Sequence, residues 1–174
     1  MGNILDKLAG GDRRSVGRVA EVVAAVLDRP RFFEALIKGL LTDDPVIRMR
    51  AADAIEKITL THPEYLQPYT GQLIRLSKNA TQQEVRWHMA QILPRLALKP
   101  GQRESVVETL FTYLADKSKI VVTFSLQALS DFAAEDNKLR TRVIAVLEKE
   151  LGAGSPAIKS RSRKLLAKLG RPVG

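Results

Sequence analysis

An apolar pattern recurs along the chain at intervals of 36 to 38 residues, and this recurrence constrains the fold more than any other feature. The first copy runs from Ile47 to Ile58, and three later copies begin at Val85, Val121 and Ile158. Within each copy the apolar residues are three or four positions apart, which is typical of an amphipathic helix. Four copies at nearly constant spacing predict a stack of similar helical units.

Helical periodicity extends over the rest of the chain, and no stretch alternates as a β-strand does. Asp44-Pro45 and Ser155-Pro156 each indicate an N-cap followed by proline in the first helical position. The segment from Thr81 to Glu84 has the pattern of a capping box. We therefore expect nine helices, over residues 13–27, 30–42, 45–60, 64–78, 82–98, 102–116, 118–134, 138–151 and 156–169.

The segment from Asp43 to Ile55, Asp-Asp-Pro-Val-Ile-Arg-Met-Arg-Ala-Ala-Asp-Ala-Ile, resembles the start of the second helix of a HEAT repeat. The resemblance covers roughly residues 30–170. It implies an all-α, right-handed superhelix of about four helical hairpins, preceded by a capping helix. It also implies that Arg48 pairs with a loop acid, Asp43 or Asp44. A compact bundle is the alternative, but a bundle would not need a constant period.

These units predict one domain over residues 1–174. Its expected parts are an N-terminal cap at 1–29, repeats at 30–62, 63–99, 100–136 and 137–170, and a tail at 171–174.

The composition excludes several kinds of active site. The chain has no cysteine and two histidines, which excludes disulfides, thiolate ligands and a histidine-based metal cluster. No nucleophile-elbow or phosphate-loop pattern occurs. We therefore predict a protein that is not an enzyme and uses no cofactor or metal. The lack of cysteine and of long apolar runs favours a cytoplasmic protein that does not enter membranes.

The second helices of HEAT-like stacks line one shared surface, so equivalent positions of successive repeats form columns across it. At 100° per residue, the only tryptophan, Trp87, points away from the buried stripe of its own helix. Pro94 is expected to kink or shorten that helix. An ordinary structural role for Trp87, packed on a neighbouring helix or loop, is the alternative. His88 is expected to be solvated or locally hydrogen-bonded rather than a ligand, because the only other histidine, His62, lies in a loop. The predicted partner-binding residues are Met49, Arg50, Trp87, His88 and Arg95.

Positive charge is concentrated near the C-terminus, where residues 138–174 carry ten Lys/Arg and only two Asp/Glu. A basic helix of this kind could bind nucleic-acid phosphates or an acidic protein surface. The alternative is a solvated outer face of the last repeat. The candidate residues for phosphate or acidic-partner binding are Lys159, Arg161, Arg163, Lys164 and Lys168.

The main functional hypothesis is a non-catalytic scaffold that binds a protein or peptide on the second-helix surface. The first alternative is RNA or DNA binding through the basic C-terminal repeat. A remote alternative is a DNA glycosylase for alkylated bases, because some bacterial glycosylases of this kind look like HEAT-type stacks. Here Trp87 lies near Gln91, but residues 90–92 include no acid and the chain has no second tryptophan.

Overall fold

A computed structural model of the chain describes residues 3–11 and 15–170. Within these residues it contains α-helices and short 3-10 helices and no strand. Each of the nine α-helices in these residues overlaps one predicted segment, although several are shorter, so the predicted all-α repeat fold is confirmed. They are α1 (Val19–Asp28), α2 (Phe33–Gly39), α3 (Pro45–Ile58), α4 (Thr70–Asn79), α5 (Gln83–Ile92), α6 (Pro100–Tyr113), α7 (Lys119–Ala133), α8 (Asn137–Ala153) and α9 (Pro156–Leu169).

Helix starts depend on local hydrogen bonds. The predicted caps at Asp44 and Ser155 are confirmed: Asp44 Oδ1 accepts from the Val46 amide at 2.8 Å, and Ser155 Oγ accepts from the Ile158 amide at 3.4 Å. The predicted capping box at Thr81 is wrong. The N-cap of α5 is Gln82, whose side chain makes no capping bond. Its amide instead accepts from Arg48 Nε at 3.1 Å and donates to the Pro45 carbonyl at 2.9 Å.

Proline and glycine set two further helix ends. The predicted interruption at Pro94 is confirmed, since α5 ends at Ile92 and a 3-10 helix over Leu93–Arg95 follows. The predicted first helix was too long at its start, because residues 15–18 are not helical and α1 begins at Val19. Residues 12–14 lie outside the described part of the chain. Gly17 has a φ of +54°, a left-handed conformation that a helix cannot include.

An arginine at the fourth position of three helices bonds the end of the preceding segment. Arg48 donates to the Thr42 carbonyl at 2.8 Å, and Arg86 donates to the Ala80 carbonyl at 3.1 Å. Arg140 donates to the carbonyl of Ala134 in the same way. The expected pairing of Arg48 with a loop acid is therefore wrong. Its guanidinium binds the backbone carbonyl, and Asp44 serves as the N-cap of α3.

The helices group into two compact units, Met1–Ala97 and Leu98–Gly174. The boundary lies within two residues of the predicted break between the second and third repeats. In the first unit α3 packs against α1, α2 and α5, and α4 packs against α5. In the second unit α7 packs against α6, α8 and α9, and α8 packs against α9. The predicted tail, 171–174, lies outside the described residues.

The core of the units is built from small and branched aliphatic side chains. Ala51, Ala54, Ile55 and Ile58 of α3 are at most 1% exposed, as the helical periodicity predicts. The approach between α2 and α3 is close, because a Cβ added to Gly39 would lie 3.0 Å from the Cβ of Ala51. Among the described residues no helix has the length and apolar character needed to cross a membrane.

Candidate functional site

A cavity of about 300 Å³ opens on the second-helix surface of the first unit. Its walls come from α3, from α5 and from the segment before α1. Its lining residues are Ser15, Val16, Met49, Arg50, Asp53, Trp87 and His88. Four of the five predicted partner-binding residues thus meet at one cavity, although they come from helices about 38 residues apart in sequence.

Arg50 is buried and binds backbone. Its side chain is only 2% exposed, and its guanidinium donates to the carbonyls of Leu8 at 2.8 Å, Gly10 at 2.6 Å and Ser15 at 3.1 Å. A Cβ added to Gly17 would lie 2.8 Å from the guanidinium carbon. The expectation that Arg50 faces solvent is therefore wrong. Arg50 fixes the segment that forms one wall of the cavity.

Met49 is also buried, at 7% exposure, so the expectation of an exposed side chain is wrong here too. The physical reason is that α3 is an inner helix, which α1, α2 and α5 cover from several sides. A helical wheel shows which side of a helix is apolar. It does not show that a distant segment covers the other side.

Trp87 is half-buried and forms a wall of the cavity rather than part of the core. Its ring lies 5.6 Å from the His88 ring, measured between centroids, at an interplanar angle of 58°. Val16, which also lines the cavity, is 61% exposed. The cavity therefore has an aromatic wall and an apolar rim, both accessible to a side chain from outside.

His88 is 9% exposed, and the Nδ1 atom of its ring is buried without a hydrogen-bond partner in the described chain. Burial lowers the pKa of His88, while the nearby carboxylates of Asp53, Glu56 and Glu84 act in the opposite direction. The lowered pKa favours the neutral imidazole. A neutral imidazole offers an electron pair to a proton donor or to a metal.

Two acids that the sequence analysis did not select lie beside His88. Ligand atoms of Asp53, Glu56 and His88 all lie within 4.8 Å of one another. Asp53 also supplies the acidic neighbour of Trp87 that residues 90–92 lack. A weak signal existed: His88 is in the same column as Arg50, and Asp53 lies three residues, or nearly one helical turn, further along α3.

Arg95, the fifth predicted partner-binding residue, lies outside the cavity lining. Its Nη1 donates to the Glu56 carbonyl at 2.6 Å and to Thr59 Oγ1 at 2.9 Å, and its Nη2 pairs with Glu56 Oε1 at 2.6 Å. These bonds join the segment after α5 to the end of α3. The structure therefore gives Arg95 a role between repeats and brings it to the site only through Glu56.

The five basic residues of α9 do not share one face. Arg161 donates to Gln127 Oε1 at 2.9 Å and Lys168 pairs with Asp131 at 3.0 Å, both towards α7. At 100° per residue Lys164 lies on this same side. Lys159 and Arg163 lie on the opposite side of the buried stripe. That stripe consists of Ile158, Ser162, Leu165 and Leu169.

A second cavity, of about 630 Å³, lies elsewhere in the first unit, and none of its lining residues is a predicted site residue. It is lined by the end of α2, by α4 and by the turn before α5. Two arginines, Arg48 and Arg75, contribute to its wall beside the apolar Leu41 and Leu76. Arg48 is already bonded to the Thr42 carbonyl and to Gln82.

No protein-family model matches the chain, and no curated protein matches it. Three solved structures illustrate what it is similar to. An engineered protein is 19% identical with a TM-score of 0.64, over 96% of this chain and 78% of that chain. A designed armadillo repeat protein in complex with the peptide (KR)4 is 16% identical with a TM-score of 0.65, over 95% and 80%. Computationally designed armadillo repeat proteins for modular peptide recognition are 17% identical with a TM-score of 0.62, over 94% and 79%.

At these identities the likeness concerns the fold. It extends over nearly the whole chain, and the neighbours named as armadillo proteins are themselves built from helical repeats. It therefore agrees with the recurrence of 36 to 38 residues and with the nine observed helices. The chain has the all-α fold of the armadillo- and HEAT-like helical-repeat proteins.

Proposed function

We propose that this protein is a non-catalytic interaction module that binds a protein or peptide segment on the second-helix surface of its first unit. The cavity beside Trp87 is the observation that carries the proposal. It combines an aromatic wall, an apolar rim at Val16 and one carboxylate, Asp53. Cavities that hold one anchoring side chain of a partner are frequent centres of binding energy.

The chemistry of the lining favours a lysine or arginine side chain of the partner. The Asp53 carboxylate attracts a cation, and the face of an indole ring binds one by a cation–π interaction. The positive charge of Arg50 is directed at the carbonyls of Leu8 and Gly10. A similar fold, in one designed armadillo protein, is found in complex with the basic peptide (KR)4. That neighbour supports a basic peptide as the first probe.

Trp87 provides a direct measurement, because it is the only tryptophan in the chain. Titration with an alternating Lys-Arg octapeptide should change its fluorescence with saturation. An Asp-Glu octapeptide of the same length should not. Trp87→Ala should lower the affinity for labelled Lys-Arg peptide by about 30-fold or more, which corresponds to a hot-spot loss of about 2 kcal/mol. Asp53→Asn should also lower the affinity for the labelled Lys-Arg peptide.

Two variants serve as controls. Ser160→Ala changes the equivalent column position in α9, and Arg75→Ala changes the larger cavity. Both should bind the basic peptide as the wild type does. If Trp87→Ala binds with unchanged affinity, or if Arg75→Ala alone abolishes binding, the site is not the one proposed.

The same measurements separate this function from nucleic-acid binding through α9. An oligonucleotide held by Arg161, Lys164 and Lys168 would bind with a steep salt dependence, and Lys164→Ala would weaken it. Trp87→Ala would leave such binding unchanged. A protein that binds oligonucleotides in this pattern and ignores the basic peptide would contradict the proposed module.

A further inference from the structure

We infer that Asp53, Glu56 and His88 form a binding site for a divalent transition metal ion of the zinc class. The three residues come from two helices, α3 and α5, and their ligand atoms all lie within 4.8 Å of one another. Two ligands of one zinc ion lie at most about 4 Å apart, given bonds of roughly 2.0 to 2.2 Å. Small rotations of the side chains are enough to close this difference.

The strongest observation is the unmet imidazole nitrogen. His88 is about nine-tenths buried, and its Nδ1 has no hydrogen-bond partner among the described residues. Buried polar atoms are almost always bonded, so an unpartnered one in a native fold requires an explanation. A metal ion bound through Nδ1 and held together with the two carboxylates would supply the missing partner.

Each carboxylate has one oxygen engaged and one left for a metal. Asp53 Oδ2 pairs with Lys57 at 2.6 Å, and Glu56 Oε1 pairs with Arg95 at 2.6 Å. Arg95 is itself held by Thr59 Oγ1 and the Glu56 carbonyl, so it fixes the direction of the Glu56 side chain. Hydrogen-bonded partners of this kind commonly orient metal-binding carboxylates.

Lys57 and Arg95 are positively charged and lower the affinity for a divalent cation. The size of this effect depends on how exposed each side chain is. The Lys57 side chain is 44% exposed and can turn into water, so its pair with Asp53 is the weaker opponent. Arg95 remains in place and partly neutralises Glu56. An imidazole with two carboxylates suits zinc or a neighbouring first-row metal better than calcium or magnesium, which prefer oxygen ligands alone.

Calorimetric titration of the untagged full chain with zinc chloride tests the inference. We expect one zinc ion per chain. His88→Gln should lower the affinity by more than about 100-fold, because it removes a direct ligand, whereas loss of an outer partner costs roughly 10- to 100-fold. Asp53→Asn and Glu56→Gln should each lower it at least about 10-fold. The control is His62→Gln, which changes the only other histidine, paired with Glu64.

A second readout protects the test against a variant that does not fold. In the wild type, zinc should shift the side-chain nitrogen resonances of His88 and leave those of His62 unchanged. Cobalt(II) should give the visible absorption of a protein-bound, low-coordinate ion. If zinc shows no saturable binding with a Kd below about 1 mM, the inference is overturned. Equal binding by wild type and His88→Gln, with the resonances of His88 unmoved, would also overturn it by assigning the metal to the surface.

The metal site does not depend on the proposed peptide function. Trp87→Ala should still bind zinc, and metal-free protein should still bind the basic peptide if the proposed function holds. When both proposals hold, zinc should lower the affinity of the protein for the Lys-Arg peptide, because the ion and the basic side chain share Asp53. The coupling is reciprocal, so the peptide should lower the affinity for zinc by the same factor.

Discussion

Arg50 and Arg161 occupy the same column of the repeat, yet the two units use them differently. In the first unit Arg50 is 2% exposed and binds the backbone carbonyls of Leu8, Gly10 and Ser15. In the second unit Arg161 is half-buried and bonds the amide of Gln127. Arg95 and Lys168, a second equivalent pair, repeat the difference: their side chains are 18% and 54% exposed.

This difference shows that column position does not determine the environment of a charge. The α3 helix is covered by α1, α2 and α5, and its Arg50 is buried and bonds the carbonyls of Leu8, Gly10 and Ser15. The α9 helix packs against α7 and α8 and leaves Lys164 in solvent. Positive charge is therefore structural in α3 and available to a partner in α9.

The largest expected effect is that of Arg50→Ala. It removes a charged donor from the carbonyls of Leu8, Gly10 and Ser15, and should lower the free energy of unfolding by about 3 kcal/mol. Arg161→Ala should lower it by about 0.5 kcal/mol, because one partly exposed bond is lost. Urea denaturation followed by circular dichroism measures both. Similar losses for the two variants would remove the contrast between the units.

Gly17→Ala sharpens the comparison by testing how closely the N-terminal segment packs on Arg50. The new Cβ would lie 2.8 Å from the guanidinium carbon at a φ of +54°, so we expect a loss of about 2 kcal/mol. Gly10→Ala has a similar positive φ but meets no atom within 4 Å, and should cost about 1 kcal/mol. Thermal unfolding of the two variants separates backbone strain from the clash. Equal shifts would indicate that the contact with Arg50 is not tight.

His88 shares the column of Arg50 and Arg161 and makes the first unit sensitive to pH. Burial lowers the pKa of His88 below its usual 6.5, so the unfolded chain binds the proton more readily. The free energy of unfolding should therefore fall as the pH drops below about 6.5, by at most about 1.4 kcal/mol per pH unit, and level off below the folded-state pKa. His88→Gln should remove this slope. A variant that keeps it would place the titrating group elsewhere.

The smallest effects come from the second equivalent pair. Arg95→Ala removes three bonds to Glu56 and Thr59 and should cost about 1 kcal/mol, because the pair is only partly exposed. Lys168→Ala removes an exposed pair with Asp131 and should cost about 0.3 kcal/mol. The second loss should also disappear at high salt. Denaturation with and without added salt tests whether burial, rather than the column, sets the strength.

The sequence alone was sufficient for the helices, because their caps and periodicity are local. Asp44 and Pro45 begin α3 as expected, and Pro94 ends the regular part of α5. Met49 and Trp87, which stand at equivalent positions one repeat apart, both line one cavity. Such positions depend only on the period of the repeat and on the 3.6 residues of a helical turn.

The sequence-based predictions were wrong where segments distant in sequence pack together. The burial of Arg50 depends on residues 8 to 17, which lie about 40 positions earlier and follow no repeat. Gln82 is engaged with Pro45 and Arg48 of the preceding hairpin, so a local capping pattern at Thr81 did not form. Asp53 and Glu56 were not predicted beside His88, because they are not at the position equivalent to His88. They lie about one and two helical turns after that position, Arg50, on the neighbouring helix α3.

The three arginines that reach back to backbone carbonyls restrict how this chain can vary. Arg48, Arg86 and Arg140 each span six residues to their acceptors at Thr42, Ala80 and Ala134. A residue inserted within any of these spans would move the acceptor out of reach, although the side chains between could change freely. Insertions and deletions should therefore be better tolerated at the connections before α2, α4 and α6, which contain or precede a proline and which no such arginine–carbonyl bond spans.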